Sequence, residues 1–183
     1  MGDKSRDFVR FLRANLTIYA WTFLLWLSAA IAAIAFADTG SMPSLWIVAG
    51  LALLAALAER QSVPLTQNTE ASVAFLPFVF SAVAFGPFTA LIVGAIAGLG
   101  DFRRPYLRWA VYLPIRALTA AIAGAAATAV APPSDHAAFG QILLATLAAS
   151  GANLGADLFF NLGTQAVRRA GSPVALLRTL APL

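Results

Sequence analysis

Two ionisable residues, Arg116 and Asp157, lie deep inside apolar stretches of membrane-spanning length. A charge there is expensive and marks a site or a partner. Counted from the basic flank at about 1.5 Å per residue, Arg116 is ~12 Å and Asp157 ~16 Å deep. Comparable depth on consecutive antiparallel helices predicts an ion pair, direct or through Asn153 or Asn161. Ser150, Asn153, Asp157, Asn161 and Thr164 follow at offsets of 3, 4, 4 and 3, the spacing of one helical face. On the preceding helix Arg108, Tyr112, Arg116 and Thr119 do the same. Tyr112, Arg116, Asn153, Asp157 and Asn161 are therefore the candidate ligand-binding residues. The guanidinium offers charge to a carboxylate or phosphate, and the amides offer both donors and acceptors. Asp157 partly neutralises Arg116, so the expected ligand is polar or singly anionic. The alternative is structural: an ion pair and amide network that pins two helices together.

Other chemistry is poorly supplied. There is no Cys and only one His, which removes thiolate metal sites, cysteine nucleophiles and bis-histidine haem ligation. His136 falls in an outer loop, and with no second His and no Cys no metal is expected. Ser150-Gly151 would need a base to act as a nucleophile, and the single His is in a loop. No Lys lies in an apolar stretch, which excludes a retinal Schiff base. The segment 94–100, rich in Gly and Ala, lacks a P-loop lysine and reads as a helix-packing face. Glu70 follows Thr66-Gln67-Asn68-Thr69; it is either part of a polar mouth or a solvated helix-start carboxylate. No catalytic residue and no cofactor are expected, and the chain does not read as an enzyme.

The elements that position these residues follow from composition and charge. Of 183 residues, 60% are hydrophobic and 11% charged, against roughly 25% charged in soluble domains. All twelve Lys and Arg residues can be placed at or inside one side of a membrane. The linkers on the other side, near Asp38, Phe85-Gly86-Pro87-Phe88 and Asp135, hold none. Cytoplasmic loops carry the Lys/Arg excess, so both termini are expected inside. The net charge of +4 serves anionic inner-leaflet lipid, at about 1 kcal/mol per basic group, rather than nucleic acid. The N-terminal region is too long and too basic for a cleavable signal. These features predict a single all-α integral membrane domain over residues 1–183, multi-pass in a bacterial cytoplasmic membrane. Its six transmembrane helices are expected over residues 16–37, 44–58, 71–85, 88–100, 107–131 and 141–167.

Residues 71–100 decide the topology. As one helix they would run roughly 45 Å and overshoot a ~30 Å hydrocarbon core. Gly86-Pro87 divides them, because proline disfavours helical geometry in the residue before it and glycine tolerates turn dihedrals. The expected result is a short hairpin of third and fourth spans. Pro64 bars residues 59–70 from a regular helix. Residues 7–15 read as an interfacial amphipathic segment or a simple basic flank. Residues 172–181, opened by Ser172-Pro173, read as a short interfacial helix.

Three runs carry a family resemblance: Glu70-Ala71-Ser72-Val73-Ala74-Phe75-Leu76-Pro77-Phe78, Ala84-Phe85-Gly86-Pro87, and Gly98-Leu99-Gly100-Asp101-Phe102-Arg103-Arg104-Pro105-Tyr106-Leu107-Arg108-Trp109. Over residues 58–127 the chain resembles the N-terminal multi-span sensory region of actinobacterial-type HD-GYP and GGDEF cyclic di-GMP proteins. That resemblance implies a signal-transduction input module acting on a signalling enzyme domain, or as a homo-oligomer. The same region is similar to the substrate-binding S component of energy-coupling-factor vitamin transporters, six-span bundles with a Phe-Gly-Pro hairpin. This second resemblance implies transporter subunits as partners, with Ala29, Ala33 and Ala37 of the first span as a docking stripe. The sensory module is the favoured expectation and the transporter component its rival.

Overall fold

The computed structural model describes residues 2–39, 42–60, 63–66, 69–71, 74–100, 106–133 and 138–168. Six helices make up nearly all of it: α1 (Gly2–Phe36), α2 (Leu45–Arg60), α3 (Phe75–Phe85), α4 (Pro87–Leu99), α5 (Tyr106–Val130) and α6 (Phe139–Arg168). Between α2 and α3 lies a small antiparallel hairpin of β1 (Val63–Thr66) and β2 (Thr69–Ala71), with an irregular register between Pro64 and Thr66. Pro64 accounts for the absence of helix there. Ala71 belongs to this hairpin, so the third helix begins at Phe75 rather than at residue 71. Residues 7–15 are a continuation of α1. Segment 172–181, His136, Asp135 and the Asp101–Pro105 run lie outside the described residues.

Leu16–Phe36, Tyr106–Val130 and Phe139–Val167 are long and apolar enough to cross a membrane, while α3 and α4 are shorter apolar helices. Of the apolar window of α5, 61% is buried, against 17% in α1 and in α6. Helix α5 is thus the central stave, and α1 and α6 turn wide faces outward. Leu24, Leu27, Ile31 and Ile34 of α1 and Leu143, Leu147, Leu154 and Phe159 of α6 are exposed. Such a surface would be an aggregation liability in water and is ordinary against lipid.

The turn between α3 and α4 is made by one residue. Gly86 has φ 90° and ψ −175°, a conformation open to glycine and strained for other residues. Its N–H donates to the Ala82 carbonyl, closing α3, and its carbonyl accepts from Ala90, opening α4. Pro87 takes the first position of α4, where its missing N–H is harmless. Both helices are therefore short, about 17 and 20 Å at 1.5 Å per residue.

Close contacts fix the pairing of α4 with α5. A Cβ on Gly98 would lie 3.1 Å from Leu113 Cα, and one on Gly94 2.5 Å from the Arg116 carbonyl oxygen. One on Gly124 would collide with the backbone of Pro87. Rising numbers on α5 meet falling numbers on α4, so the two run antiparallel with backbones nearly touching. Helix α2 runs alongside α4 in the same sense. Thr89 near the start of α4 donates to Met42 Sδ (3.7 Å), and Arg60 Nε at the end of α2 donates to the Gly100 carbonyl (3.1 Å).

Helix α1 is packed through a narrow stripe. Trp21, Ala29 and Ala32 lie against Leu25, Val111, Ile115 and Leu118. Ala32, Ala33 and Phe36 lie against Leu91, Ala117 and Ala121. Ala29 and Ala33 are therefore committed to contacts within this chain, and Ala37 lies just beyond the helix end. The small-residue stripe lets α1 approach α4 and α5; it is not the free face of α1.

Candidate functional site

Three helices converge on the guanidinium of Arg116. From α2, Glu59 Oε1 accepts from Arg116 Nε at 2.8 Å and pairs also with Nη2. From α6, Asp157 Oδ1 accepts from Nη1 at 2.9 Å. The expected pairing of Arg116 with Asp157 is thus direct. Asn161, one turn further along α6, donates Nδ2 to Asp157 Oδ2 (3.1 Å) and to the Asp157 carbonyl (2.8 Å). Both Asp157 oxygens are occupied, and the amide holds the carboxylate toward α5.

Helix geometry explains how residues at different heights meet. A Cα–Cβ bond tilts toward the N-terminus of its own helix. Arg116 stands ten residues into α5 and leans back toward the α5 start. Glu59 stands in the last turn of α2 and leans back into the bundle. The α2 and α4 ends lie together at Arg60 and Gly100, so the two side chains approach from opposite directions. The absence of side chains on Gly94 and Gly98 lets α4 lie flat on α5 beside them.

Glu59 is the residue that sequence reasoning missed. One signal was present: a carboxylate in the last turn of a helix opposes the macrodipole, whereas Arg60 beside it suits that position. A locally unfavourable charge of this kind needs a partner elsewhere, and Arg116 is that partner.

Two acceptors at the site are unmatched. Glu59 Oε2 and Asn153 Oδ1 are buried without a hydrogen-bond partner, and Asn153 as a whole is 6% exposed. Asn153 precedes Asp157 by one turn on the same face of α6. Tyr112 is placed differently from the other candidates. It packs against the buried group of Leu25, Val111, Ile115 and Leu118, and the Arg108 guanidinium lies 5.8 Å from its ring centroid, within cation–π range. With Ile18, Leu107, Arg108, Val111 and Thr164 it lines a crevice of ≈ 10 Å³, about the room of one water. Thr164 is buried and accepts the Trp21 indole N–H at 3.1 Å, so the lower end of the polar stripe ties α6 to α1. Among the described residues no three His, Cys, Asp or Glu side chains gather as for a metal ion.

The arrangement can hold hydrogen-bonding groups but has little cationic charge to give. One guanidinium faces two carboxylates, a formal excess of one negative charge. An anion-binding role for Arg116 supposed a single carboxylate beside it; the second reverses the balance.

Residues 45–179 match the family model described as ECF-type riboflavin transporter, S component. The match starts at α2 and runs beyond α6. It includes all of residues 58–127, the stretch that resembles cyclic di-GMP sensory regions, and the comparison gives that sensory resemblance no support. No curated protein and no solved structure matches the chain.

Proposed function

The chain belongs to the family of ECF-type riboflavin transporter S components, and on that premise we propose that it is the substrate-binding membrane subunit of an energy-coupling-factor transporter with a flavin as its ligand. The observation that carries this reading is the family match across residues 45–179, which takes in five of the six helices of the bundle. The family is one of transporter components and not of enzymes. The partners this reading implies are a transmembrane scaffold subunit and ATPase subunits in a bacterial cytoplasmic membrane. Both ends of the chain would face the cytoplasm, as the basic residues require.

Within the bundle, the ligand-binding residues in this proposal are Arg116, Asn153, Asp157 and Asn161, with Glu59 added and Tyr112 at the margin beside Arg108. A site of few convergent polar groups within a helical bundle is the usual form of a small-molecule site. A second reading is supported by the saturation of Arg116: Nε, Nη1 and Nη2 all reach carboxylates. On that reading the cluster is a clamp joining α2, α5 and α6, and the ligand binds elsewhere.

Binding of riboflavin to the detergent-purified protein, read by native mass spectrometry and by quenching of flavin fluorescence, tests the function. A stoichiometric complex supports it; a folded protein that neither retains nor binds riboflavin overturns it. The triple change Glu59→Gln, Arg116→Gln, Asp157→Asn separates site from clamp, because it removes all three charges and strands none. A folded triple variant with unchanged riboflavin affinity assigns the cluster to the clamp.

A further inference from the structure

We propose that the crevice between α1, α5 and α6, with Arg108 at its mouth, seats the phosphate of an anionic phospholipid. The crevice stands apart from the Arg116 cluster, and the proposal does not depend on the flavin reading.

The crevice is built by three helices: Ile18 comes from α1, Leu107, Arg108, Val111 and Tyr112 from α5, and Thr164 from α6. Arg108 precedes Arg116 by eight residues, about 12 Å along the helix toward the α5 start. The recess has room for about one water, so a larger group must lie across its mouth. Of the lining residues only Arg108 is charged, and it is exposed. Its guanidinium lies over the Tyr112 ring, 5.8 Å from the centroid. Cation–π attraction restrains a guanidinium without consuming an N–H, and the planar fork matches two oxygens of a phosphate.

The surroundings select the kind of phosphate. Leu16 and Tyr19, on either side of Ile18 in the chain, are exposed, and α1 turns a wide apolar face outward. A soluble phosphate would have to leave water for the flank of an apolar bundle. A phospholipid already lies there, with its acyl chains along α1 and its phosphate at the level of the helix ends. Basic side chains at that level attract anionic lipid, so charge complementarity favours an anionic headgroup over a zwitterionic one.

The test uses the full chain in neutral detergent with equal amounts of phosphatidylglycerol and phosphatidylcholine of matched acyl chains, read by native mass spectrometry. Wild-type protein is expected to retain one phosphatidylglycerol about fivefold in preference to phosphatidylcholine, the scale of one basic group facing an anionic headgroup. Arg108→Gln should abolish the preference. Arg108→Lys keeps the charge and loses the fork, Tyr112→Leu keeps the charge and loses the ring, and each should reduce it. Arg60 is exposed at the same end of the bundle, bonded to the Gly100 carbonyl, and Arg60→Gln should leave most of the preference intact. Arg108→Lys, at an exposed position, keeps the test open if Tyr112→Leu does not fold. Equal retention of the two lipids by wild-type protein overturns the proposal. So does a loss in Arg60→Gln as large as that in Arg108→Gln, the mark of a diffuse surface attraction. An unchanged preference in Arg108→Lys, or in folded Tyr112→Leu, overturns it too. Displacement of the lipid by excess inorganic phosphate does the same, because the crevice would then take soluble phosphate.

Discussion

Trp26 donates its indole N–H to the carbonyl oxygen of Ala110 at 2.9 Å. That carbonyl lies four residues before Pro114, which sits inside α5 and has no N–H to give back. The proline therefore leaves one α5 carbonyl without its helical donor, and α1 supplies the donor from its side chain. Proline is tolerated in a membrane helix where a neighbour satisfies the freed group. Trp26→Phe keeps the ring and removes the donor, and should lower stability by about 1 kcal/mol. In a Pro114→Ala background the helix supplies its own donor, so the same change should cost less. A double-mutant cycle from thermal unfolding in detergent measures the coupling; strictly additive effects would contradict the account.

Removing Arg116 alone should be far more damaging than removing the whole cluster. Arg116→Gln strands two carboxylates, and breaking a buried pair by deleting one partner costs roughly 3–5 kcal/mol. The triple variant with Glu59→Gln and Asp157→Asn should recover most of that loss. Detergent melting curves of the single and triple variants, compared side by side, decide the matter.

Glycines at the α4–α5 seam should tolerate substitution much less than glycines on the outer face of α6. Gly124→Ala drives a methyl group into the Pro87 backbone, and Gly94→Ala drives one into the Arg116 carbonyl. Overpacking of this kind typically costs 1–3 kcal/mol. A Cβ on Gly140, Gly151 or Gly155 would meet nothing within 4 Å, and alanine there should be neutral or slightly stabilising to the helix. Yield and melting temperature of the five single variants provide the comparison.

The absence of cysteine makes the orientation directly measurable. Single cysteines at Asp38 and Asp135 should react with a membrane-impermeant thiol reagent added to intact cells. Cysteines at Gln67 and Arg103 should react only after permeabilisation. Labelling of Arg103→Cys from outside would invert the last two helices and refute the assignment.

The sequence carried the outline of this bundle because its cues are local or one-dimensional. The one-sided placement of Lys and Arg, the break at Gly86-Pro87 and the matched depths of Arg116 and Asp157 can each be read along the chain. Glu59 was not legible in the same way. Its contact with Arg116 depends on where the end of α2 falls against the middle of α5, a relation set by the packing of both helices around α4. The role of Ala29 and Ala33 was equally hidden. Small residues at helical spacing announce a close approach but not what approaches, and here it is α5 and α4. Favourable burial of Asn153 on the polar face of α6 was expected from spacing; the lack of a partner for its oxygen could come only from three dimensions.

The order of the helices gives the three-way contact at Arg116 a consequence for biogenesis. In the six-span topology proposed above, with spans entering the bilayer in chain order, α2 would bring Glu59 to the membrane boundary, where a carboxylate can remain hydrated. Helix α5 follows with Arg116, whose insertion near mid-helix is unfavourable by up to ~2.5–3.5 kcal/mol, and a counter-charge is already waiting. Asp157 arrives last, on α6, and finds the guanidinium in place. On that topology each deep charge would be delivered to a bilayer that already holds its partner. A circularly permuted chain that released α5 ahead of α2 would lose that chaperoning by sequence order, although its final contacts would be the same.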